Sequence, residues 1–340
     1  MNLLVCGLRR SGTTIVHDAL TEDRRLRSFY EPLREEAETI GGGSGVRAAD
    51  VFAETRELRE RFRAQRYPQL QIELLNWGGP RAPELELEPT LPDHVRDLLA
   101  YLLDQAPDVA IKETRLHHKL GAVAEIDPDA AVVHLVRDPR AVTASMLLGR
   151  RRRTDIYPDA ATFFTARTGR RLWSSRRISE ELIARGQSPD LPADIPDFLR
   201  PLLVWKAAFA TTDGDGGRLF GDRYALVRLE DLRADPCAEL ERIYALLGRS
   251  LPDAVAEWAA RSIHREAKVH LPDDPRWARA ARLLEMEGEL ERAGYTEILA
   301  LEPEPGEPLD LSPPPRRSRL AGFMGRARRR EGRFARRGSR

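Results

Sequence analysis

An α/β fold with a central parallel sheet is what three features of this sequence predict. The apolar run Leu3-Leu4-Val5-Cys6 passes through a glycine-bounded turn into a helical pattern that begins near Thr13. A second uninterrupted run, Ala131-Val132-Val133-His134-Leu135-Val136, leads into the helix-opening Asp138-Pro139. Between and beyond them, short extended stretches alternate with amphipathic ones. Fully apolar strands of four to six residues suit the interior of a parallel sheet, buried on both faces.

Taken in order, a first helix follows the turn to about Leu20. Residues 27–30 read as a second strand closed by Glu31-Pro32, with Glu31 expected in extended geometry because a proline follows it. The glycine run 41–45 reads as a flexible loop, 51–66 as a solvated Arg/Glu-rich helix, and 76–92, broken by glycines and prolines, as a connection. Residues 93–105 place Val95, Leu98, Leu99, Leu102 and Leu103 on one side of a helix that Asp93 could cap. A strand at 109–112 and a helix at 117–126 precede the run at 131–136. Helices are expected at 139–148, 158–186 and 195–212. Asp213-Gly214-Asp215-Gly216-Gly217 reads as a tight loop, 224–229 as a strand, and 238–247 as a helix opened by Asp235-Pro236. Residues 251–295 read as mostly helical, and parallel strands joined this way need right-handed crossovers. Two domains of unequal kind follow: residues 1–300 as the folded body, and 301–340 as a proline-rich linker with an arginine-rich tail expected to be disordered alone.

Composition narrows the function. No apolar run approaches the roughly 18–20 residues of a membrane helix, and no signal peptide is expected ahead of a strand that starts at residue 3. The two cysteines, Cys6 and Cys237, make no disulfide framework, so a reducing, cytoplasmic setting is expected. Net charge is +1, but residues 316–340 carry eleven arginines and one glutamate, leaving −9 for residues 1–315. A body that acidic is not expected to bind nucleic acid; an anion site in it has to be local. The tail, with Phe323, Met324 and Phe334 among its arginines, could make weak contact with an anionic membrane or simply aid solubility.

The local anion site is the glycine turn. Gly7-x-x-x-x-Gly12-x-Thr14 has the spacing of a Walker A loop, whose amides and helix N-terminus hold phosphate. Thr13 stands where the phosphate-reaching lysine of such loops belongs, and a basic residue sits instead inside the turn, at Arg10. An ordinary ATPase or GTPase is therefore disfavoured. Arg137 ends a predicted strand, where ligands of open α/β sheets collect. Ser145 lies two turns into the next helix, so the pair could grip a second phosphate; a salt-bridged strand end and an ordinary helix serine is the plainer alternative.

Together these stretches resemble the sulfotransferases that use 3′-phosphoadenosine 5′-phosphosulfate (PAPS). Arg9-Arg10-Ser11-Gly12-Thr13-Thr14 is similar to their 5′-phosphosulfate loop, and Val136-Arg137-Asp138-Pro139-Arg140-Ala141-Val142-x-x-Ser145 to their 3′-phosphate motif. Ser28-Phe29-Tyr30-Glu31-Pro32-Leu33 and Ile111-Lys112-Glu113-Thr114-Arg115-Leu116 resemble segments of the carbohydrate branch and its bacterial relatives. Leu226 to Leu232, followed by Asp235-Pro236, is similar to the late strand–helix unit.

The resemblance covers roughly residues 2–295. It implies a P-loop NTPase-like three-layer fold, PAPS as donor without a metal, and transfer of a sulfuryl group to a carbohydrate or other small-molecule hydroxyl. It further implies that Arg9 to Thr14 hold the 5′-phosphosulfate, with Arg10 offsetting charge on the bridging oxygen, and that Arg137 and Ser145 hold the 3′-phosphate. Glu31 would be the general base, and Lys112 and Arg115 would face the sulfonate or an anionic acceptor, unless they pair with Glu113 or Asp108. Arg9 departs from the proline common at its position. The adenine segment is not identifiable; 262–272 is where it is expected. His17, His117, His118 and His134 have no metal-site spacing and read as structural. The rival readings are a P-loop kinase-like nucleotide-binding protein, which would need the missing lysine and a Mg²⁺ carboxylate, and a non-catalytic protein of membrane surfaces built on the tail.

Overall fold

The computed structural model describes residues 1–33, 46–75, 77, 82–149, 156–168, 174–264, 269–303, 306, 308, 309 and 311. Residues Met1–Leu309 form one compact unit; of the second, Asp310–Arg340, only Leu311 is described. The arginine-rich tail and the glycine run 41–45 thus lie outside the described residues.

The strands are β1 (Leu3–Cys6), β2 (Arg27–Tyr30), β3 (Val109–Glu113), β4 (Ala131–Val136) and β5 (Tyr224–Arg228), all parallel, in the order β2-β3-β1-β4-β5. The helices are α1 (Thr13–Leu20), α2 (Val46–Arg66), α3 (Asp93–Leu103), α4 (Leu120–Ile126), α5 (Pro139–Leu148), α6 (Ala160–Thr165), α7 (Ser175–Ala184), α8 (Leu199–Phe220), α9 (Leu229–Ala234), α10 (Pro236–Leu246), α11 (Asp253–Ser262), α12 (Arg276–Leu283) and α13 (Glu287–Ala293).

Alternation along β1 explains the layers. Leu3 and Val5 join one core with Val16 and Leu20 of α1, Ile243 of α10 and Val255 of α11. Leu4 and Cys6 join the opposite core with Phe62 of α2, Leu98 and Leu102 of α3 and Leu120 of α4. Successive side chains of a strand point to opposite faces, so a strand covered by helices on both must be apolar throughout. The result is the three-layer, P-loop-like α/β fold that the sequence and its resemblance predict. Because all five strands run the same way, the turns after β1 to β5 gather at one edge, where such sheets bind ligands. No helix among the described residues is long and apolar enough to cross a membrane.

Several expected elements are corrected. Asp213-Gly214-Asp215-Gly216-Gly217 is not a loop; it lies inside α8. The reason is packing: a Cβ on Gly216 would come within 2.2 Å of the Tyr224 ring, so the glycine lets the helix lie flush on β5. The helix expected at 117–126 begins only at Leu120, because residues 114–119 form a turn closed by Lys119 N–H donating to Leu116 O at 2.9 Å. Asp93 is not a cap; Pro92 holds that position and no side chain caps α3. The helix expected over 158–186 is two helices, α6 and α7, with 169–173 outside the described residues.

Candidate functional site

The turn after β1 is shaped by its glycines. Gly7 passes so close to β4 that a Cβ would lie 2.3 Å from Leu135 O, and at Gly12, at φ 97°, a Cβ would come within 2.7 Å of the Leu229 side chain. Arg10 adopts φ 77°, unusual for a residue with a side chain. Ser11 and Thr13 are buried, and Thr13 offers no charge at the lysine position of a Walker A loop. Gly12 caps α1 without any side-chain hydrogen bond. The positive end of the helix therefore has no side-chain oxygen of its own on it.

The β4–α5 corner meets this turn directly. Arg10 Nε donates to Ser145 Oγ at 2.7 Å, and Arg137 Nη1 donates to Arg10 O at 3.1 Å. Two stretches more than a hundred residues apart thus share one corner. The corner is braced from behind. Asp138 caps α5 by accepting from Arg140 N at 2.7 Å, and its carboxylate holds the Arg140 guanidinium. Arg140 in turn reaches Glu297 at 3.0 Å and Pro272 O at 3.1 Å. Trp205 Nε1 donates to Arg137 O at 3.0 Å. Burial, together with the nearby Arg233 and Arg10, pushes the Arg137 pKa down from its ordinary value.

On the other side of the turn stand Glu31, the residue after β2, and Lys112 of β3. Their side chains are ion-paired, with 9% and 2% of each exposed. Lys112 Nζ also sits over the Tyr30 ring, 4.1 Å from its centre, and the Tyr30 hydroxyl shares a 3.0 Å hydrogen bond with Thr14 Oγ1. A chain of contacts therefore runs from the glycine turn through Thr14 and Tyr30 to the Lys112–Glu31 pair. Glu31 is not extended, as expected before proline, but left-handed at φ 42°. Its N–H continues the sheet by donating to Lys112 O at 2.7 Å while its carboxylate turns back to the same lysine.

Glu86, in the 3-10 turn Pro83–Leu87, has no sequence signal, yet it is fully buried. Arg9 Nη1 donates to both its carboxylate oxygens, at 2.7 and 2.6 Å, and Arg115 approaches to 4.0 Å. Lys119 Nζ donates to Glu86 O at 2.8 Å, and burial lowers its pKa from 10.5 to about 7. Arg115 also donates to Trp77 O at 3.2 Å. The position where Arg9 departs from the common proline thus has a dedicated partner 77 residues away. Lys112 pairs with neither Glu113 nor Asp108: Glu113 accepts from the backbone of Thr114 and Leu33, and Asp108 holds the Met1 amine and Arg249. Burial raises the Glu113 pKa. Burial lowers those of His17 and His117, of His118 to about 4 and of His134 to about 3, so these rings are neutral.

Residues 2–155 match the sulfotransferase family model, which bears out the resemblance drawn from the sequence motifs. Among solved structures, the chain is similar to a sulfotransferase from Mycobacterium avium, at 13% identity and a TM-score of 0.43 over 86% of this chain and 76% of that one. It is similar to one from Alicyclobacillus acidocaldarius, at 16% and 0.40 over 88% and 93%. A mouse sulfotransferase complexed with PAP also resembles it, at 13% and 0.35 over 77% and 64%. No curated protein matches the sequence.

Proposed function

We propose that this chain, whose residues 2–155 match the sulfotransferase family model, moves a sulfuryl group from PAPS to the hydroxyl of a carbohydrate or other small molecule. The observation that carries the reading is the junction of Arg10, Ser145 and Arg137, which joins the glycine turn to the β4–α5 corner. Two phosphate-type groups on one small ligand need two such cradles side by side.

In this reading the amides and hydroxyls of Arg9, Arg10, Ser11, Gly12, Thr13 and Thr14 hold the 5′-phosphosulfate. Arg137 and Ser145 hold the 3′-phosphate. The acceptor oxygen forms a bond to sulfur as the bond from sulfur to the bridging phosphate oxygen breaks. The bridging oxygen keeps the electron pair, and Arg10 offsets the charge that builds there. Glu31 takes the acceptor proton. Lys112 orients the Glu31 carboxylate and with Arg115 lends positive charge to the acceptor side. Arg9 contributes its backbone to the turn while its side chain is anchored on Glu86. Residues 1–300 are read as the catalytic domain, and 301–340 as an accessory segment whose arginines suit weak contact with an anionic membrane.

Calorimetry with adenosine 3′,5′-bisphosphate and with ATP–Mg²⁺ tests the reading. The bisphosphate is expected to bind and ATP–Mg²⁺ to bind weakly or not at all. Tight ATP–Mg²⁺ binding with no response to the bisphosphate would favour a kinase-like protein instead.

A further inference from the structure

The sheet order leaves a gap that one side chain crosses. β3 lies between β1 and β2. The glycine turn after β1 and Glu31 after β2 therefore stand two strand spacings apart, roughly 10 Å. Tyr30 and Lys112 are opposite one another in the register of β2 and β3. Their neighbours Phe29 and Ile111 join the core with α2 and α3. Alternation thus turns Tyr30 and Lys112 to the other face, where Val16 and Leu20 of α1 pack. Tyr30 is buried there.

Three contacts seat the phenol. Lys112 Nζ lies over the ring, 4.1 Å from its centre. His17 meets it edge to face, with ring centres 5.2 Å apart and planes at 81°. The hydroxyl shares its 3.0 Å hydrogen bond with Thr14 Oγ1. Thr14 and His17 are three apart on α1, and residues so spaced share one helix face. The Tyr30 side chain therefore runs along the first turn of the helix that the glycine turn opens.

The direction of the Tyr30–Thr14 bond decides what it does. A threonine hydroxyl has one hydrogen to donate and lone pairs with which to accept. A phenol is the more acidic hydroxyl and the better donor of the two. With Tyr30 donating, Thr14 Oγ1 is the acceptor and keeps its own hydrogen for a second partner. Accepting one hydrogen bond also strengthens the bond that the same hydroxyl donates onward. Thr14 lies in the first turn of α1, where the positive end of the helix favours an anion.

We propose that Tyr30 is a positioning residue for the donor: by donating to Thr14 Oγ1 it aims the Thr14 hydrogen at the 5′ group of the nucleotide. The inference rests on the reading of the glycine turn as the 5′ cradle and adds a residue of β2, outside that turn. Tyr30 touches no nucleotide itself and acts through Thr14. Its seat is shared with the acceptor side, because the Lys112 that lies over its ring also holds Glu31. One side chain thus sets the donor end and the proposed base from a common place.

Calorimetry on the full chain, with adenosine 3′,5′-bisphosphate and adenosine 3′-phosphate as probes, tests this. Tyr30→Phe removes the hydroxyl and keeps the ring under Lys112. It is expected to weaken the bisphosphate about fivefold, as a lost neutral hydrogen bond does, and adenosine 3′-phosphate, which has no 5′ group, by less than about twofold. Thr14→Val is expected to weaken the bisphosphate at least as much. Adding Tyr30→Phe to Thr14→Val is then expected to cost less than about twofold more, because the two hydroxyls act as one unit. Unchanged bisphosphate affinity in Tyr30→Phe overturns the inference. So do equal losses for both probes, which would mark Tyr30 as part of the scaffold, and so do losses that simply multiply in the double variant. A parent protein that binds adenosine 3′-phosphate as tightly as the bisphosphate overturns the reading of the glycine turn itself, before any variant is made.

Discussion

The two flanks of the glycine turn solve the problem of buried charge in opposite ways. On the β4 side, Arg10 donates to a hydroxyl and Arg137 to a carbonyl, and Arg233 stands near enough to disfavour the Arg137 charge. On the β3 side each prominent cation meets a buried carboxylate: Lys112 meets Glu31, and Arg9 and Arg115 meet Glu86. In the proposed reading, the cations of the first flank meet an anion that comes from outside. A set of internal pairs is arranged to hold shape. Substitution of a cation should therefore cost binding on the first flank and stability on the second.

Lys112→Met should show the largest effect. It leaves Glu31 buried without its ammonium, and breaking a buried pair from one side typically costs about 3–5 kcal/mol. Denaturant unfolding of the variant checks this; a loss of less than about 1 kcal/mol would mean that water already screens the pair. Glu31→Gln preserves shape and hydrogen bonding while removing the proton acceptor. Turnover should fall roughly 10²-fold or more with bisphosphate affinity within about twofold, measured by donor consumption and calorimetry. Near-parental turnover would move the base to another group.

Arg137→Ala tests the opposite flank. Bisphosphate binding should weaken by about 2 kcal/mol, roughly 30-fold, while adenosine 5′-phosphosulfate, which has no 3′-phosphate, hardly responds. Stability should move by less than about 0.5 kcal/mol, because the substitution also relieves crowding with Arg233 and Arg10. A large stability loss with equal weakening of both ligands would make Arg137 a scaffold residue and erase the contrast between the flanks.

What the sequence announced falls along the same line. The glycine turn, β2, β4 and the start of α5 carry their signal within a few residues, in glycine spacing, apolar runs and proline positions. That the two motifs serve one donor followed from the resemblance, but the contact of Arg10 with Ser145 has no sequence signal. Glu86 was hidden, since nothing in Glu84-Leu85-Glu86-Leu87-Glu88 shows that one glutamate faces Arg9 across 77 residues. The left-handed Glu31 was hidden too, because the pull of Lys112 overrides the local preference before proline. Asp213 to Gly217 misled by composition: residues that favour a turn on their own are held helical by the close fit of Gly216 on Tyr224 and by Asp213 bonding Arg292 at 3.0 Å. Local chemistry was legible, and long-range pairing was not.

Lys119 gives the finest test of the internally paired flank, because its effect is read in pH. The amine is fully buried on Glu86 O, and burial lowers its pKa from 10.5 to about 7. In the unfolded chain it keeps its proton up to the ordinary value; in the folded chain it releases it near neutrality. Between those values the unfolded state binds more protons, so this group makes stability rise with pH. Below about pH 6 both states are protonated and the slope vanishes. Lys119→Met removes the titration while retaining most of the volume. The stability of the parent relative to the variant should therefore increase by about 1–2 kcal/mol from about pH 7 to about pH 8.5 and stay flat below about pH 6. Cys6 and Tyr67, both raised to about 12, titrate with the opposite sign at higher pH and cancel in the difference. A difference that stays level across the whole range would mean that Glu86 and its neighbours keep Lys119 charged in the fold, making it one more ion pair of this flank.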